Sequence, residues 1–109
     1  MRIMIKFTFP VDTGNEAIRS GKVEKIFKQI AQELKPEAAY FFPQGGERGG
    51  LLVVDMTASS QIVETAERLF FGLNAKVEMV PVMALEDLEQ GLSSIEKNNS
   101  TIRVIQRYG

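Results

Sequence analysis

The chain has 109 residues, with 13 Lys and Arg against 14 Asp and Glu, a formal net charge of -1, and no histidine or cysteine. That length suits one domain that buries a single core without cross-links, and near-neutrality supplies no global field toward nucleic acid or an anionic membrane. The missing residue types exclude disulfides, thiolate nucleophiles, imidazole bases and nearly every zinc, copper or haem site built on nitrogen or sulfur, so no metal and no cofactor is expected.

Ile3, Ile5, Phe7 and Phe9 alternate with Arg2, Met4, Lys6 and Thr8, a period of two that predicts strand 1. The two charges interrupt any export-signal core, and no run approaches the roughly 20 apolar residues of a membrane span, so a cytoplasmic protein without a membrane segment is expected. Pro10 ends the strand, and Thr13 with Glu16 suggests a capping box opening a helix. Val23, Ile26, Phe27, Ile30 and Leu34 form one helical stripe, with Ala17 and Ile18 out of phase. The helix is therefore expected to break near Ser20 and Gly21 and then to run until Lys35-Pro36 stops it.

The stretch Ala38 to Phe42, the loop PQGGERGG and the run LLVVDM read as a hairpin of strands 2 and 3. Ser59 and Ser60 offer an N-cap to a helix with the stripe Ile62, Ala66, Leu69, Phe70 and Leu73, which Gly72 and Asn74 would stop. AKVEMVPVM reads as strand 4, and Pro81 places it at a sheet edge. Leu85, Leu88, Leu92 and Ile95, spaced three, four and three, predict a third amphipathic helix within a single domain of residues 1–97. The tail 98–109 is β-prone, readable as an extra strand or as a loose end.

This order is that of the ferredoxin-like βαββαβ arrangement, an α+β fold with a four-stranded antiparallel sheet. Right-handed crossovers put strands 1 and 3 in the centre and two helices on one face. The opposite face, about 330 Å² for strands of usual length and spacing, is left bare. Met4, Phe42, Val53 and Met79 are its interface candidates, and a third helix, the tail or a second copy must cover it.

The pieces PEAAYF at 36–41, GLNAKVEMVPVM at 72–83, EDL at 86–88 and GNEAI at 14–18 resemble a family of small bacterial proteins of unknown function. The resemblance runs from about Met1 to Leu92 and implies a ferredoxin-like domain similar to the dimeric α+β barrel group, in which two sheets pack face to face. It implies no activity. Some relatives carry a label tying them to pantothenate synthetase, but that chemistry uses a histidine signature on a nucleotide-binding fold, and this sequence has neither.

Two sets of polar residues are candidate ligand-binding groups. Glu37 and Tyr40 could line the mouth of a cavity with Arg48 above them as an anion clamp, while the plainer reading makes the aromatics packing residues and GGERGG a flexible hairpin tip. Lys6, Asp55 and Glu78 sit mid-strand as a cross-strand ion pair, or, if buried by dimerisation, as a polar spot fit for acid–base work. ERGGLLVVDM faintly echoes an RNA-reading strand but has leucine and valine where aromatics are required, so no nucleic-acid partner is expected. The glycines at 45, 46, 49 and 50 lack the lysine and hydroxyl of a phosphate loop.

Three functional readings follow. The first is a non-enzymatic domain that forms a homodimer or higher homo-oligomer through the bare face and binds a small molecule in the resulting chamber. The second is a cofactor-free enzyme of the dimeric barrel type that works by proton transfer. The third is a docking module that uses an edge strand or the basic tail with Arg103 and Arg107.

Overall fold

A computed structural model describes residues 1–108, with side chains described as far as Lys97. Its elements are β1 (Arg2–Phe9), α1 (Val11–Arg19), α2 (Lys22–Leu34), β2 (Ala38–Gln44), β3 (Glu47–Asp55), α3 (Ser60–Leu73), β4 (Lys76–Pro81) and α4 (Leu85–Tyr108). The strands form one sheet in the order β2-β3-β1-β4, every neighbouring pair antiparallel. This is the ferredoxin-like α+β topology, with its first helix split in two and a further helix after β4.

Alternation decides which side of the sheet is dry. Along β1, Ile3, Ile5, Phe7 and Phe9 are buried and the residues between them half-buried. The buried set meets Ile26 and Ile30 of α2, Leu69 and Leu73 of α3, and Leu52 and Val54 of β3. Side chains such as Ile5, Val54 and Leu69, with 0% exposure, each contribute about 1.5–3 kcal/mol through removal from water.

The helix break is where the change of phase predicts it. Gly21 adopts φ 78° between α1 and α2, and Lys35 leaves α2 at φ 46° just ahead of Pro36. The start differs: α1 begins at Val11 with Pro10 as its N-cap residue, so Thr13 lies in the first turn, its amide held by Asp12 Oδ1 at 2.8 Å. Pro10, at φ -60° and ψ 147°, ends the strand and fixes the chain's entry into the helix without a side-chain cap.

The hairpin is tighter than its composition suggests. Only Gly45 and Gly46 form the turn, both at positive φ (60° and 79°), as a two-residue type I′ connection requires. Gly49 and Gly50 belong to β3, so GGERGG is a turn followed by strand rather than a flexible tip. Both glycines serve close approach: a Cβ on Gly50 would lie 2.3 Å from the Tyr40 carbonyl oxygen, and one on Gly49 would lie 2.5 Å from that of Phe7.

In α3 the dry stripe is Thr65, Leu69 and Leu73, leaving Ile62 (40%) and Phe70 (41%) at its exposed border. Ser59 makes no side-chain cap. Gln61 Oε1 instead accepts from the amides of Thr57 (2.8 Å) and Ala58 (3.1 Å). Asn74, at φ 53°, closes the helix. Beyond β4, the segment expected as an extra strand or loose end continues α4 through Tyr108. Once a helical turn is formed each added residue gains a hydrogen bond without a new nucleation cost, and this overrides a local β-preference.

Candidate functional site

The register sorts every strand residue onto one side of the sheet. Met4 lies opposite Val53 and Val80, Lys6 opposite Leu51 and Glu78, and Thr8 opposite Gly49 and Lys76. On β2, Ala38, Tyr40, Phe42 and Gln44 continue the same surface. All of these belong to the face turned away from α1, α2 and α3. Its centre is apolar, made of half-buried Met4, Phe42, Leu51 and Val53 beside Tyr40 (64% exposed) and Val80 (43%).

The aromatic triplet divides between the two sides by the same rule. Phe41 points to the helices, with its ring centroid 5.1 Å from Phe27 and 6.1 Å from Phe7 in edge-on contacts. Tyr40 and Phe42 point to the bare side.

The interface candidates Met4, Phe42 and Val53 lie on this open face. Met79 does not: it pairs with Ile5 and packs with Val77 against the core. The reason is parity, since Glu78 is the β4 residue opposite Lys6, which puts its neighbour on the other side.

The anion clamp is likewise separated by the sheet. Arg48 projects to the helical side, where Nη2 donates to Asn15 Oδ1 at 2.8 Å and Nη1 to the Val11 carbonyl at 3.3 Å, tying the hairpin to α1. Glu37 stands at the other end of β2 and pairs with Arg2. Tyr40 lies between them in sequence but on the open face, and no carboxylate–phenol–guanidinium group forms.

Lys6 and Glu78 face one another directly in the register, while Asp55 lies opposite Arg2 at the end of the sheet. Asp55 Oδ1 takes the N-terminal amine of Met1 at 3.1 Å. Hence the expected trio resolves into a central pair and a separate corner. In that corner Arg2 meets Glu37 and lies 3.5 Å from Asp87 of α4. The hydrogen bond and charge of Glu37, with smaller contributions from Asp87 and Asp55, raise the guanidinium pKa further above its ordinary value, so Arg2 holds its charge throughout.

The central pair opens onto a hollow of about 120 Å³ lined by Lys6, Phe7, Thr8, Gln44, Lys76 and Glu78. Gly49, between Thr8 and Phe42 in the register, contributes no side chain to this part of the face. Two amines, a carboxylate, a hydroxyl and an amide thus border the hollow. Thr8, Gln44 and Lys76 were not singled out in the sequence; the alternation that identified Lys6 would have found Thr8 and Lys76 once the β1–β4 register was known. Among the described residues no group of three or more His, Cys, Asp or Glu is placed to hold a metal ion.

On the open face Arg2 and Asp55 stand at one end and Lys76 and Glu47 at the other, while Lys6 on the internal strand β1 and Glu78 on β4 flank the apolar patch. Among the described residues nothing covers the centre: α4 follows Val82 with its own Leu85, Leu88, Leu92 and Ile95 exposed. No described helix is long and apolar enough to cross a membrane. The basic tail with Arg103 and Arg107, a feature of the docking reading, has its side chains outside the described residues.

No family model and no curated protein matches the chain. Among solved structures it is similar to the de novo designed protein Ferredog-Diesel, at 16% identity over 74% of this chain and 85% of that one, with a TM-score of 0.49. It is also similar to the periplasmic divalent cation tolerance protein CutA from Archaeoglobus fulgidus, at 16% identity over 81% and 91% with a TM-score of 0.47. A third similarity is to MupZ from Pseudomonas fluorescens, at 16% identity over 87% and 83% with a TM-score of 0.41. The ferredoxin-like assignment rests on this chain's own strand order and connections.

Proposed function

We propose that this chain is a self-associating domain whose working surface is the open face of its sheet, and that two such faces enclose a chamber for a small molecule. The observation that carries the reading is the uncovered apolar centre of Met4, Tyr40, Phe42, Leu51, Val53 and Val80. An apolar patch with charged residues around it is the anatomy of a protein interface, and an exposed tyrosine such as Tyr40, here on the edge strand β2, is a residue type enriched at such surfaces.

The occupant that fits is a second copy. Arg2, Lys6 and Lys76 are matched by Glu47, Asp55 and Glu78 on the same face, so bringing two of these surfaces together incurs no net repulsion. A strongly acidic or basic partner would find no complementary field. In the apposed pair the hollow beside Lys6, Lys76 and Glu78 becomes part of an enclosed space, with ammonium groups for an anionic substituent and the Phe42 and Tyr40 rings for an apolar body.

Sedimentation velocity at micromolar concentration tests the association. The wild type is expected to sediment as a dimer or larger, and Leu51→Glu, which places a carboxylate at the centre of the face, to reduce that assembly. A monomeric wild type, or an oligomer indifferent to Leu51→Glu, overturns the proposal. Ligand binding is read separately by thermal shift, since a ligand at a hundred times its dissociation constant stabilises by about 2.7 kcal/mol.

A further inference from the structure

We infer that α4 is a second self-association element, pairing in parallel with α4 of another copy along the seam Leu85, Leu88, Leu92 and Ile95. This contact is distinct from the open face of the sheet and does not depend on that reading.

The helix is 24 residues long, yet among its described residues the apolar ones stay out of the core: Leu85, Leu88, Leu92 and Ile95 are 65%, 45%, 50% and 53% exposed. A helix containing Gly91, Ser93 and Ser94 has little intrinsic stability in water, and helices of this kind persist by burying a face. Spacings of three, four and three make a stripe only one residue wide at each turn. A helix that packs on a sheet or in a broad groove shows about three apolar residues in seven, whereas two in seven is the seam that a second helix fills.

Charge selects the copy and its direction. One flank of the stripe carries Glu89 and Glu96, each one residue beyond a seam position, and the other carries Gly91, one residue before Leu92. In an antiparallel pair the acidic flanks would face each other. In a parallel pair each acidic flank faces the glycine flank of the other copy, and the repulsion is absent.

Gly91 supports the same arrangement independently. It lies inside the helix and outside the positive-φ region, and a Cβ there would meet nothing within 4 Å, so among the described residues no turn or close approach requires it. A helix-interior glycine is unfavourable, and here the single chain offers no compensation. A second helix passing that flank does.

Because the chain contains no cysteine, a single introduced thiol reports the contact without background. Leu88→Cys and Leu92→Cys are each expected to form a covalent dimer under mild oxidation, because a parallel seam brings each position to its own counterpart within the ~7 Å that a disulfide spans. Ser94→Cys, on the opposite side of the helix, serves as the reference. Both seam variants should cross-link about ten-fold or more faster than it, reflecting the higher effective concentration of paired thiols. Cross-linking of Leu92→Cys without Leu88→Cys indicates an antiparallel crossing and overturns the proposal, as does equal cross-linking, or none, at all three positions. The Leu51→Glu sedimentation result reports on the sheet face, so either contact can fail without the other.

Discussion

Arg2 and Glu37 join the first strand to the entrance of the second: the Arg2 Nε donates to Glu37 Oε1, while Nη1 of the same guanidinium lies 3.5 Å from Asp87 Oδ2. Asp87 in turn accepts the Ala84 amide at 2.9 Å, capping α4 from within its first turn. One exposed cation therefore connects β1, β2 and the root of α4, and it does so at the corner of the open face. Through Asp87 this corner ties the first turn of α4 to the sheet.

The expected consequence of Arg2→Met is local. Exposed ion pairs contribute little to global stability, so the thermal midpoint should change only slightly. Amide exchange at Ala84 and Leu88, the bonded amides of this corner, should accelerate, since the cap loses the charge that orients Asp87. Unchanged protection of those amides in the variant would show that the corner does not govern α4.

Gly50 is predicted to be among the least replaceable residues of the sheet. In Gly50→Ala the new methyl would stand 2.3 Å from the Tyr40 oxygen and 2.9 Å from Phe7 Cζ, the first a backbone atom that cannot turn aside. Overpacking of this kind costs about 1–3 kcal/mol, read as a lower urea midpoint at constant m. Gly45→Asn should be nearly neutral, since its site is open and asparagine tolerates the φ of 60° that the turn demands. Equal losses in the two variants would contradict this assignment of turn and strand.

Much of this architecture was legible in the chain because hydrophobic period and breakers agreed. The alternation around Ile5, the phase slip at Gly21, Pro81 at the edge and the aromatic run at Tyr40 each encode one element without reference to the others. What the sequence left open depends on register. Whether Met79 or Glu78 faces the core, and whether Arg48 shares a side with Tyr40, changes with a one-residue shift in pairing, and no local preference fixes that shift. The glycines illustrate the same limit: GGERGG has the composition of a loop, and only the approach of Phe7 and Tyr40 backbone explains why its second pair lies within a strand. Thr8, Gln44 and Lys76 come together through pairings between distant segments, so the hollow beside Lys6 had no signature in any single stretch.

Gly72 and Ile26 should prove energetically coupled. A Cβ on Gly72 would meet Ile26 Cδ1 at 2.5 Å, where α3 crosses α2, and Ile26 is only 6% exposed and hemmed in by the core. Replacing a helix-interior glycine by alanine normally gains about 1 kcal/mol. In the wild-type background that gain should be cancelled or reversed by the clash, while in an Ile26→Val background, which lacks Cδ1, it should be recovered. A double-mutant cycle from urea unfolding measures the difference, and the same change in both backgrounds would show that the helices do not meet at this point.

The Glu24–Lys28 pair on α2 makes a pH-dependent prediction. Lys28 Nζ lies 2.9 Å from Glu24 Oε1 at the i,i+4 spacing, and its hydrogen bond and charge hold the Glu24 carboxyl below the ordinary glutamate value. A carboxyl whose folded pKa is lowered contributes stability that is complete above its unfolded value, near 4.3, and is lost as pH falls through the folded one. The side-chain carboxyl resonance of Glu24 should therefore titrate below the ordinary range in the wild type and return to it in Lys28→Met. Because both groups are exposed, added salt should move the wild-type midpoint in the same direction as the substitution. A midpoint that ignores both salt and the loss of Lys28 would mean that the lysine does not hold the carboxylate in solution.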